Sequence, residues 1–259
     1  MWSTKEQIRG GKIVKYSYLT DPGKVRDHNE DSVIVIQNEH GDYLMAVADG
    51  MGGHRAGEVA SSIAISHLGK RFHAIGAIGN YDDAVAWVQE TVSEINMLIY
   101  KYTESNPDQK GMGTTLVLAI YTSQFLLFGN IGDSSGYVIR NEKMYKITQD
   151  HTLVNLLIST GELTSDEAKK HPRKNVLMKA LGAKSSIEMD IFHVENEIDG
   201  ILLCSDGLTD MLDDEQIIKV LNEEISVEEK TNKLVIKSNN RGGTDNISVA
   251  YLDKKGVKI

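Results

Sequence analysis

Paired apolar segments separated by short polar turns constrain the fold of this chain more than any other feature. Residues 32–37 and 43–48 are rich in aliphatic and β-branched side chains, and residues 38–42 between them indicate a turn. Such a pair predicts a β-hairpin. The pattern recurs in two further pairs: residues 114–121 with 124–129, and residues 137–140 with 143–147. Because hairpins build antiparallel sheets, a parallel sheet with alternating strands and helices is disfavoured.

Long helices are predicted between the hairpins. From Val85 to Tyr102, apolar residues recur at alternating spacings of three and four, which places them on one stripe of a helix. Asp82 or Asp83 is predicted to cap its start, and Pro107 lies beyond its end. The remaining predicted elements are strands at residues 13–19, 201–205 and 246–252, and helices at residues 56–72, 213–224 and 227–237. Antiparallel sheets with helices on their outer faces fit this order.

Residues 148–184 differ from the rest of the chain. They are polar and weakly periodic, and helical patterns occur only at residues 154–159 and 165–170. We therefore expect a mobile excursion over the surface.

The composition excludes several classes of protein. A net charge of −9 without a dense basic stripe is opposite to the balance of a typical nucleic-acid-binding protein. The single cysteine, Cys204, excludes a disulfide framework and favours a reducing cytoplasm. Residues 1–11 lack the apolar core of a signal peptide, and no apolar run is long enough to span a membrane. We therefore expect a cytoplasmic protein that binds neither nucleic acid nor membrane.

Aspartates stand at the ends of three predicted apolar strands, and a small residue follows each of them. These aspartates are Asp49, Asp133 and Asp206. Three further carboxylates lie just before predicted strands: Glu30, Asp31 and Asp245. The pattern is a repeat of position rather than of sequence.

Carboxylates at buried strand ends are costly unless something neutralises them, and several together repel each other. Mg²⁺ and Mn²⁺ prefer carboxylate, carbonyl and water oxygens, so a divalent cation would satisfy such a cluster. The glycines after Asp49 and Asp206 would let the backbone approach an ion. A single Asp-Gly pair is more often a turn, so a set of unrelated turns is the alternative to a metal site.

Arg26 lies five residues before Asp31, and a guanidinium group can bind a phosphate bidentately. For an isolated arginine, a surface salt bridge is the alternative. Beside a metal cluster, phosphate capture is the better interpretation, with attack by metal-activated water because no nucleophilic side chain accompanies it. Cys204 does not begin a Cys-x5-Arg loop, so a thiol mechanism is disfavoured and a packing role is expected.

Six short segments carry these residues in a definite order. They are residues 23–31, 47–54, 111–115, 129–134, 204–208 and 242–247. With these segments in this order, the chain resembles the metal-dependent protein phosphatases of type 2C, in their short bacterial form. The resemblance spans nearly the whole chain.

The resemblance implies an α+β fold. Two antiparallel β-sheets flanked by helices would form a four-layer αββα sandwich, with the metal centre at one end of the sandwich. Residues 1–259 would form one catalytic domain, in which residues 159–179 match the family's flap, a variable lid beside the cleft.

The resemblance also assigns ligands to two ions of Mg²⁺ or Mn²⁺. Asp49, Asp206 and Asp245 would ligate the first ion. Asp49 would bridge to the second ion, which also takes the carbonyl oxygen of Gly50.

Further roles are implied around these two ions. Glu30 would lie by the second ion, mostly through water, and Asp31 would hold metal-bound waters. Asp133 would hold a third, weaker ion together with Asp206. Arg26 would bind the phosphate of the substrate.

The sequence departs from many eukaryotic members at Met51, where they carry a histidine proposed as the general acid. A thioether cannot donate a proton, so His54 or a metal-bound water is the candidate for that role. For His54 a structural role is favoured over a catalytic one. His151 lies in a family-like stretch, but its spacing assigns it no chemistry.

The function implied is that of a serine/threonine protein phosphatase, in which water activated by a binuclear centre attacks phosphorus directly and in line. Its partners would be phosphoprotein substrates of a Ser/Thr kinase, and the kinase itself is a candidate; a monomer is expected. One alternative is a pseudophosphatase that serves as a binding or sensor module, which is disfavoured because all the matching carboxylates are present. The other is a metal-dependent phosphoesterase acting on small molecules.

Overall fold

Two antiparallel sheets pack face to face in the computed structural model, which describes residues 6–9, 12–53 and 55–254. The strands are β1 (Glu6–Arg9), β2 (Lys12–Asp21), β3 (Asp31–Gln37), β4 (Tyr43–Met51), β5 (Gly113–Thr114), β6 (Leu116–Tyr121), β7 (Leu126–Ile131), β8 (Ser135–Arg140), β9 (Lys143–Lys146), β10 (Asp190–Val194), β11 (Gly200–Cys204) and β12 (Ile247–Asp253). The first sheet has the order β1-β2-β12-β11-β8-β9, and the second has the order β10-β7-β6-β4-β3, with β5 paired to β4.

Helices cover the outer face of each sheet. They are α1 (Ala56–Ala74), α2 (Tyr81–Ser105), α3 (Leu153–Ser159), α4 (Ser165–Lys169), α5 (Asp206–Thr209), α6 (Asp214–Leu221) and α7 (Val227–Asn240), and a short 3₁₀ helix spans Pro107–Gln109. Helices α1 and α2 pack on the second sheet, and α6 and α7 pack on the first. The predicted four-layer αββα arrangement is therefore confirmed.

The layer between the sheets is built of aliphatic and aromatic side chains. Side chains from both sheets meet there, including Met45 and Phe128 from the second sheet and Leu203 and Leu252 from the first. Strand β4 is buried along most of its length because it lies inside its sheet and is covered on both faces. A continuous apolar strand of this kind delivers Asp49, two residues before the strand ends at Met51, to a partly exposed position at the end of the sandwich.

The three predicted hairpins are present, as β3–β4, β6–β7 and β8–β9. The tightest turn, between β8 and β9, places Asn141 and Glu142 at positive φ, which matches the right-handed twist of the strands. Sequence analysis missed β1 and β10. Strand β10 lies at the edge of its sheet and is only partly buried, so it lacks the apolar alternation that marks a strand.

The predicted long helix is confirmed as α2, but its cap is not the residue expected. Asn80 is the N-cap, and its side chain accepts a hydrogen bond from the backbone N–H of Asp83. The carboxylate of Asp83 in turn accepts from the backbone N–H of Asn80, which completes a capping box. Asp82 and Asp83 instead lie in the first turn, where their charge complements the helix dipole.

The polar segment between β9 and β10 contains the two short helices that were predicted, α3 and α4. Isolated bridges join Thr152 to Leu177 and Thr114 to Leu181, so both ends of its central part are hydrogen-bonded. Among the described residues, no helix has the length and apolarity needed to cross a bilayer.

Candidate metal centre

One cavity of about 450 Å³ collects the strand-end carboxylates at one end of the sandwich. Its lining includes seven of the eight residues predicted from the sequence: Arg26, Glu30, Asp49, Gly50, Asp133, Asp206 and Asp245. The eighth, Asp31, is paired with Asp49 across the β3–β4 hairpin but lies behind the cavity, where it is buried. Acidic residues separated by more than two hundred positions in the sequence therefore converge.

The backbone around Asp49 is held by two threonines. The N–H of Asp49 donates to Thr115 Oγ1 at 2.9 Å, and the carbonyl oxygen of Asp49 accepts from Thr114 Oγ1 at 2.9 Å. The next residue, Gly50, has no room for a side chain, since a Cβ there would stand 2.1 Å from the carbonyl oxygen of Gly57. This close approach explains the glycine after Asp49 and keeps β4 against the start of α1.

In the absence of cations, carboxyl groups in and behind the cavity have pKa values above the ordinary range. Burial, together with the charges of Asp133 and Asp245, raises the pKa of Asp206 to about 7. Burial also raises the pKa of Asp31 to about 7 and that of Asp133 to about 6. The pKa of Asp49 lies well above its ordinary value because of burial and the charges of neighbouring aspartates.

These groups fit a divalent cation. One buried carboxylate oxygen of Asp31 and one of Asp206 have no hydrogen-bond partner, and such orphaned acceptors are costly. The donor set is entirely oxygen, which suits Mg²⁺ and Mn²⁺. Among the described residues, no three carboxylate, imidazole or thiol groups lie close enough to enclose an ion by themselves. Mg²⁺ sites commonly use one or two carboxylates and several waters, so this open arrangement is compatible with such ions.

Arg26 lies at the mouth of the cavity. Its Nη2 donates to Oδ2 of Asp245 at 2.8 Å, and about half of its side chain is exposed to solvent. The salt bridge that was the alternative reading of Arg26 is thus present, but its partner is a carboxylate of the cavity. The exposed part of the guanidinium group remains available to an anion entering from solvent.

Asn246 holds the loop that carries Arg26 and Glu30, and sequence analysis missed it. Its Oδ1 accepts from the backbone N–H of Glu30 at 2.8 Å, and its Nδ2 donates to the carbonyl oxygens of Pro22 and His28, both at 2.9 Å. The side chain is buried and uses both of its donor positions and one of its two acceptor positions. Its only sequence signal is its position directly after Asp245.

Replacing Asn246 by alanine should lower the free energy of unfolding by about 3 kcal/mol, since three hydrogen bonds to buried backbone groups are lost. Activity should also fall because the loop that positions Arg26 and Glu30 is released. Urea unfolding and steady-state kinetics measure the two effects. Asn106→Ala, which removes one hydrogen bond at the end of α2, is the matched control. Equal, small effects of the two substitutions would contradict the positioning role of Asn246.

His151 supports the loop that carries Asp133. Its Nδ1 accepts from the backbone N–H of Gly132 at 3.0 Å, and its Nε2 lies 3.0 Å from Oδ2 of Asp190. Because Gly132 supplies a donor, the neutral imidazole carries its proton on Nε2 and donates to Asp190. Burial would raise the pKa of Asp190, but hydrogen bonds from Lys179 and His151 outweigh it and lower that pKa.

The candidates for the general acid, His54 and a metal-bound water, stay predictions. Met51 lines the cavity, as its position next to Gly50 predicted, and no histidine of the described residues does so. His54 lies outside the described residues. Cys204 is buried in the core, and burial raises the pKa of its thiol to about 12, which excludes a reactive thiolate.

Comparisons with known proteins identify the family of this chain. The family model described as protein phosphatase 2C matches residues 24–237. The serine/threonine phosphatase stp of Listeria innocua is 41% identical over 238 residues, covering 92% of this chain and 94% of its own.

Solved structures of phosphatases have the same fold as this chain. The S. agalactiae serine/threonine phosphatase superposes with a TM-score of 0.89 at 34% identity, covering 93% of this chain and 100% of its own. The catalytic domain of the phosphatase PstP, solved in complex with two manganese ions, has a TM-score of 0.81 at 35% identity and covers 93% of this chain and 97% of its own. This chain belongs to the protein phosphatase 2C family of metal-dependent protein phosphatases.

Proposed function

We propose that this chain removes phosphate from phosphoserine and phosphothreonine in proteins, using two or three Mg²⁺ or Mn²⁺ ions held in the carboxylate cavity. The observation that carries the proposal is the convergence of partly buried, mutually repelling carboxylates beside an exposed arginine. Repulsion between these charges and their desolvation cost several kcal/mol unless cations neutralise the charges. Membership of the family and the named relatives support the same substrate class.

The residues fall into three groups by the ion they would hold. Asp49, Asp206 and Asp245 would draw together around the first ion, since they do not enclose one in its absence. Asp49 with the carbonyl oxygen of Gly50 would hold the second. Glu30 would act through water at the second ion. Asp31, whose Oδ2 accepts from Ser205 Oγ at 2.7 Å, would orient hydrating waters with its remaining oxygen. Asp133 would hold a third ion together with Asp206.

Bound ions would supply charge neutralisation at the phosphoryl oxygens and an activated water for direct, in-line attack on phosphorus. Arg26 would hold a non-bridging phosphoryl oxygen and stabilise the charge that develops there. Asp31 is buried and Asp49 is only partly exposed, which weakens the screening of these charges by bulk water. Because water and not a side chain would attack phosphorus, a covalent phosphoenzyme is not expected.

We propose a cytoplasmic enzyme that acts as a monomer on the substrates of a Ser/Thr kinase, with the kinase itself as a further candidate substrate. The free, buried Cys204 fits a reducing compartment.

Phosphate release by the purified chain tests the function directly. After treatment with a chelator, the protein is assayed with Mn²⁺ against phosphothreonine peptides, p-nitrophenyl phosphate and a nucleotide panel. Peptide turnover that depends on Mn²⁺ is expected. Faster hydrolysis of nucleotides than of peptides would favour a small-molecule phosphoesterase, and no hydrolysis at all would favour a pseudophosphatase. Solvent ¹⁸O should appear in the released phosphate without a trapped phosphoenzyme.

Replacing Arg26 by alanine should reduce kcat/KM for phosphopeptides about a hundredfold, because a charge-assisted, bidentate contact with the phosphate is lost. Lysine at the same position should recover only part of the activity, since an ammonium group cannot make the paired contact. Initial-rate kinetics at saturating Mn²⁺ measure both variants. Arg140→Ala, at a half-exposed arginine paired with Glu195, is the control. Unchanged kinetics of Arg26→Ala would refute a phosphate-binding role.

A further inference from the structure

A second cavity, of about 500 Å³, adjoins the carboxylate cavity. Met178, Lys179, Ala180 and Ala183 line both, so one short segment of chain separates the two spaces. On its far side the second cavity is walled by α3 and the loop before it. The volume falls within the range of pockets that bind small ligands or single side chains.

Hydrogen bonds on both sides hold the cavity open. On one side, the backbone N–H groups of Leu153 and Met178 donate to the carbonyl oxygens of Val176 and His151, each at 2.8 Å. On the other side, the amide of Asn96 in α2 donates to the carbonyl oxygen of Lys184 at 2.9 Å and accepts from the N–H of Gly182 at 2.8 Å. The cavity is therefore a built feature and not a gap between loose loops.

The cavity carries no net charge but exposes apolar surface. Its charged side chains are two lysines and two acids: Lys179, Lys184, Asp150 and Glu188. Lys179 lies 2.6 Å from Asp190, and Asp150 lies 2.7 Å from Lys146, so two of the four are already neutralised by ion pairs. Leu156 and Met178 are about half exposed there, which is unusual for large apolar side chains.

We propose that this second cavity binds an aliphatic side chain that flanks the phosphorylated residue of a protein substrate. The inference rests on the phosphatase function proposed above and names the class of sequence that the enzyme prefers. Continuity with the carboxylate cavity places the site where the substrate chain leaves the catalytic centre. A neutral, partly apolar pocket favours an uncharged side chain, whereas the neighbouring acidic cavity would repel an acidic one.

The length of the substrate chain limits the distance between that side chain and the phosphorylated residue. An extended polypeptide advances about 3.4 Å per residue, so a residue within about four positions of the phosphorylated one lies within roughly 14 Å of it. Burying one aliphatic side chain in such a pocket should change kcat/KM about tenfold.

Phosphothreonine peptides test the inference. In a background of alanine, glycine and serine, a single leucine is walked through about four positions on each side of the phosphothreonine, and kcat/KM is measured with Mn²⁺. One position is expected to give about a tenfold advantage over alanine. Leu156→Ser should abolish that advantage, and Leu156→Asp should transfer it to lysine at the same position.

The controls separate this site from the catalytic centre. Leu156 does not line the carboxylate cavity, so both variants should hydrolyse p-nitrophenyl phosphate at the wild-type rate. Ile236→Ser, at a similarly exposed residue of α7 on the other helical layer, should keep the leucine preference.

Two results would overturn the inference: a flat leucine profile in the wild type, or the same preference in Leu156→Ser as in the wild type. If the wild type hydrolyses neither the peptides nor p-nitrophenyl phosphate, the proposed function fails and this inference fails with it.

Discussion

Asp206→Asn is expected to abolish metal-dependent phosphatase activity while it stabilises the metal-free protein. Asp206 lies at the junction of β11 and α5, among the charges of Asp133 and Asp245. Asparagine keeps the shape of the side chain but cannot offer a carboxylate to two ions. Losing about 4 kcal/mol of transition-state stabilisation corresponds to a rate reduction of about a thousandfold.

The effect on stability should have the opposite sign. At pH 8 without metal, an ionised Asp206 is buried among like charges, and asparagine removes that repulsion. A gain of up to about 4 kcal/mol in the free energy of unfolding is expected, since folding raises the pKa of Asp206 from 3.8 to about 7 and one unit of pKa shift corresponds to about 1.4 kcal/mol. Excess Mn²⁺ should stabilise the wild type much more than the variant.

Steady-state kinetics and urea unfolding in EDTA measure these two effects on the same preparations. Asp214→Asn, at an exposed position in the first turn of α6, should change neither by a comparable amount. A variant that loses activity and also loses stability in EDTA would show that Asp206 is structural rather than a frustrated metal ligand.

The stability of the metal-free protein should fall as pH rises from about 4 to about 7. Folding raises the pKa of Asp31 and Asp206 from 3.8 to about 7, so these carboxyl groups bind protons more tightly in the folded state. A raised pKa contributes stability that is fully present below the unfolded value and is lost as pH rises through the folded value. For one group the expected loss is about 4 kcal/mol. The lowered pKa of Asp190 acts in the opposite direction but only below about pH 4, outside this range.

Divalent cations should reverse this trend, because they bind the ionised carboxylates and their binding releases protons. Urea unfolding at pH 5 and pH 8, with EDTA and with Mn²⁺, gives the four values required. In EDTA the protein should be less stable at pH 8, and with Mn²⁺ it should be more stable at pH 8. In Asp206→Asn the dependence on pH in EDTA should be shallower. A wild type that becomes steadily more stable from pH 5 to pH 8 in EDTA would contradict the electrostatic account of the cavity.

The sequence was sufficient to predict the elements that have strong local patterns. The hairpin β3–β4 and the helix α2 follow from alternation and periodicity within a few residues. The strand ends at Asp49, Asp133 and Asp206 follow from apolar runs that stop at an acidic residue. Their convergence could be anticipated because buried carboxylates require a common neutralising partner.

Features that depend on contacts between residues far apart in the chain could not be predicted from the sequence. Asn246 contacts residues more than two hundred positions away, and nothing in its neighbourhood distinguishes it from a turn residue. His151 is hydrogen-bonded to Asp190, the first residue of β10. The apolar pattern of this edge strand is too weak for the strand to be predicted from the sequence. The placement of Asp31 behind the cavity also depends on Ser205, which tertiary packing alone brings to it.

The central claim is that cations lie between the converging carboxylates, and anomalous scattering from crystals soaked in Mn²⁺ tests it most directly. The account predicts at least two manganese peaks inside the cavity bounded by Asp49, Asp206 and Asp245, with Asp206→Asn losing at least one. Fully active crystals with no peak in that cavity, or with manganese bound only elsewhere, would contradict it.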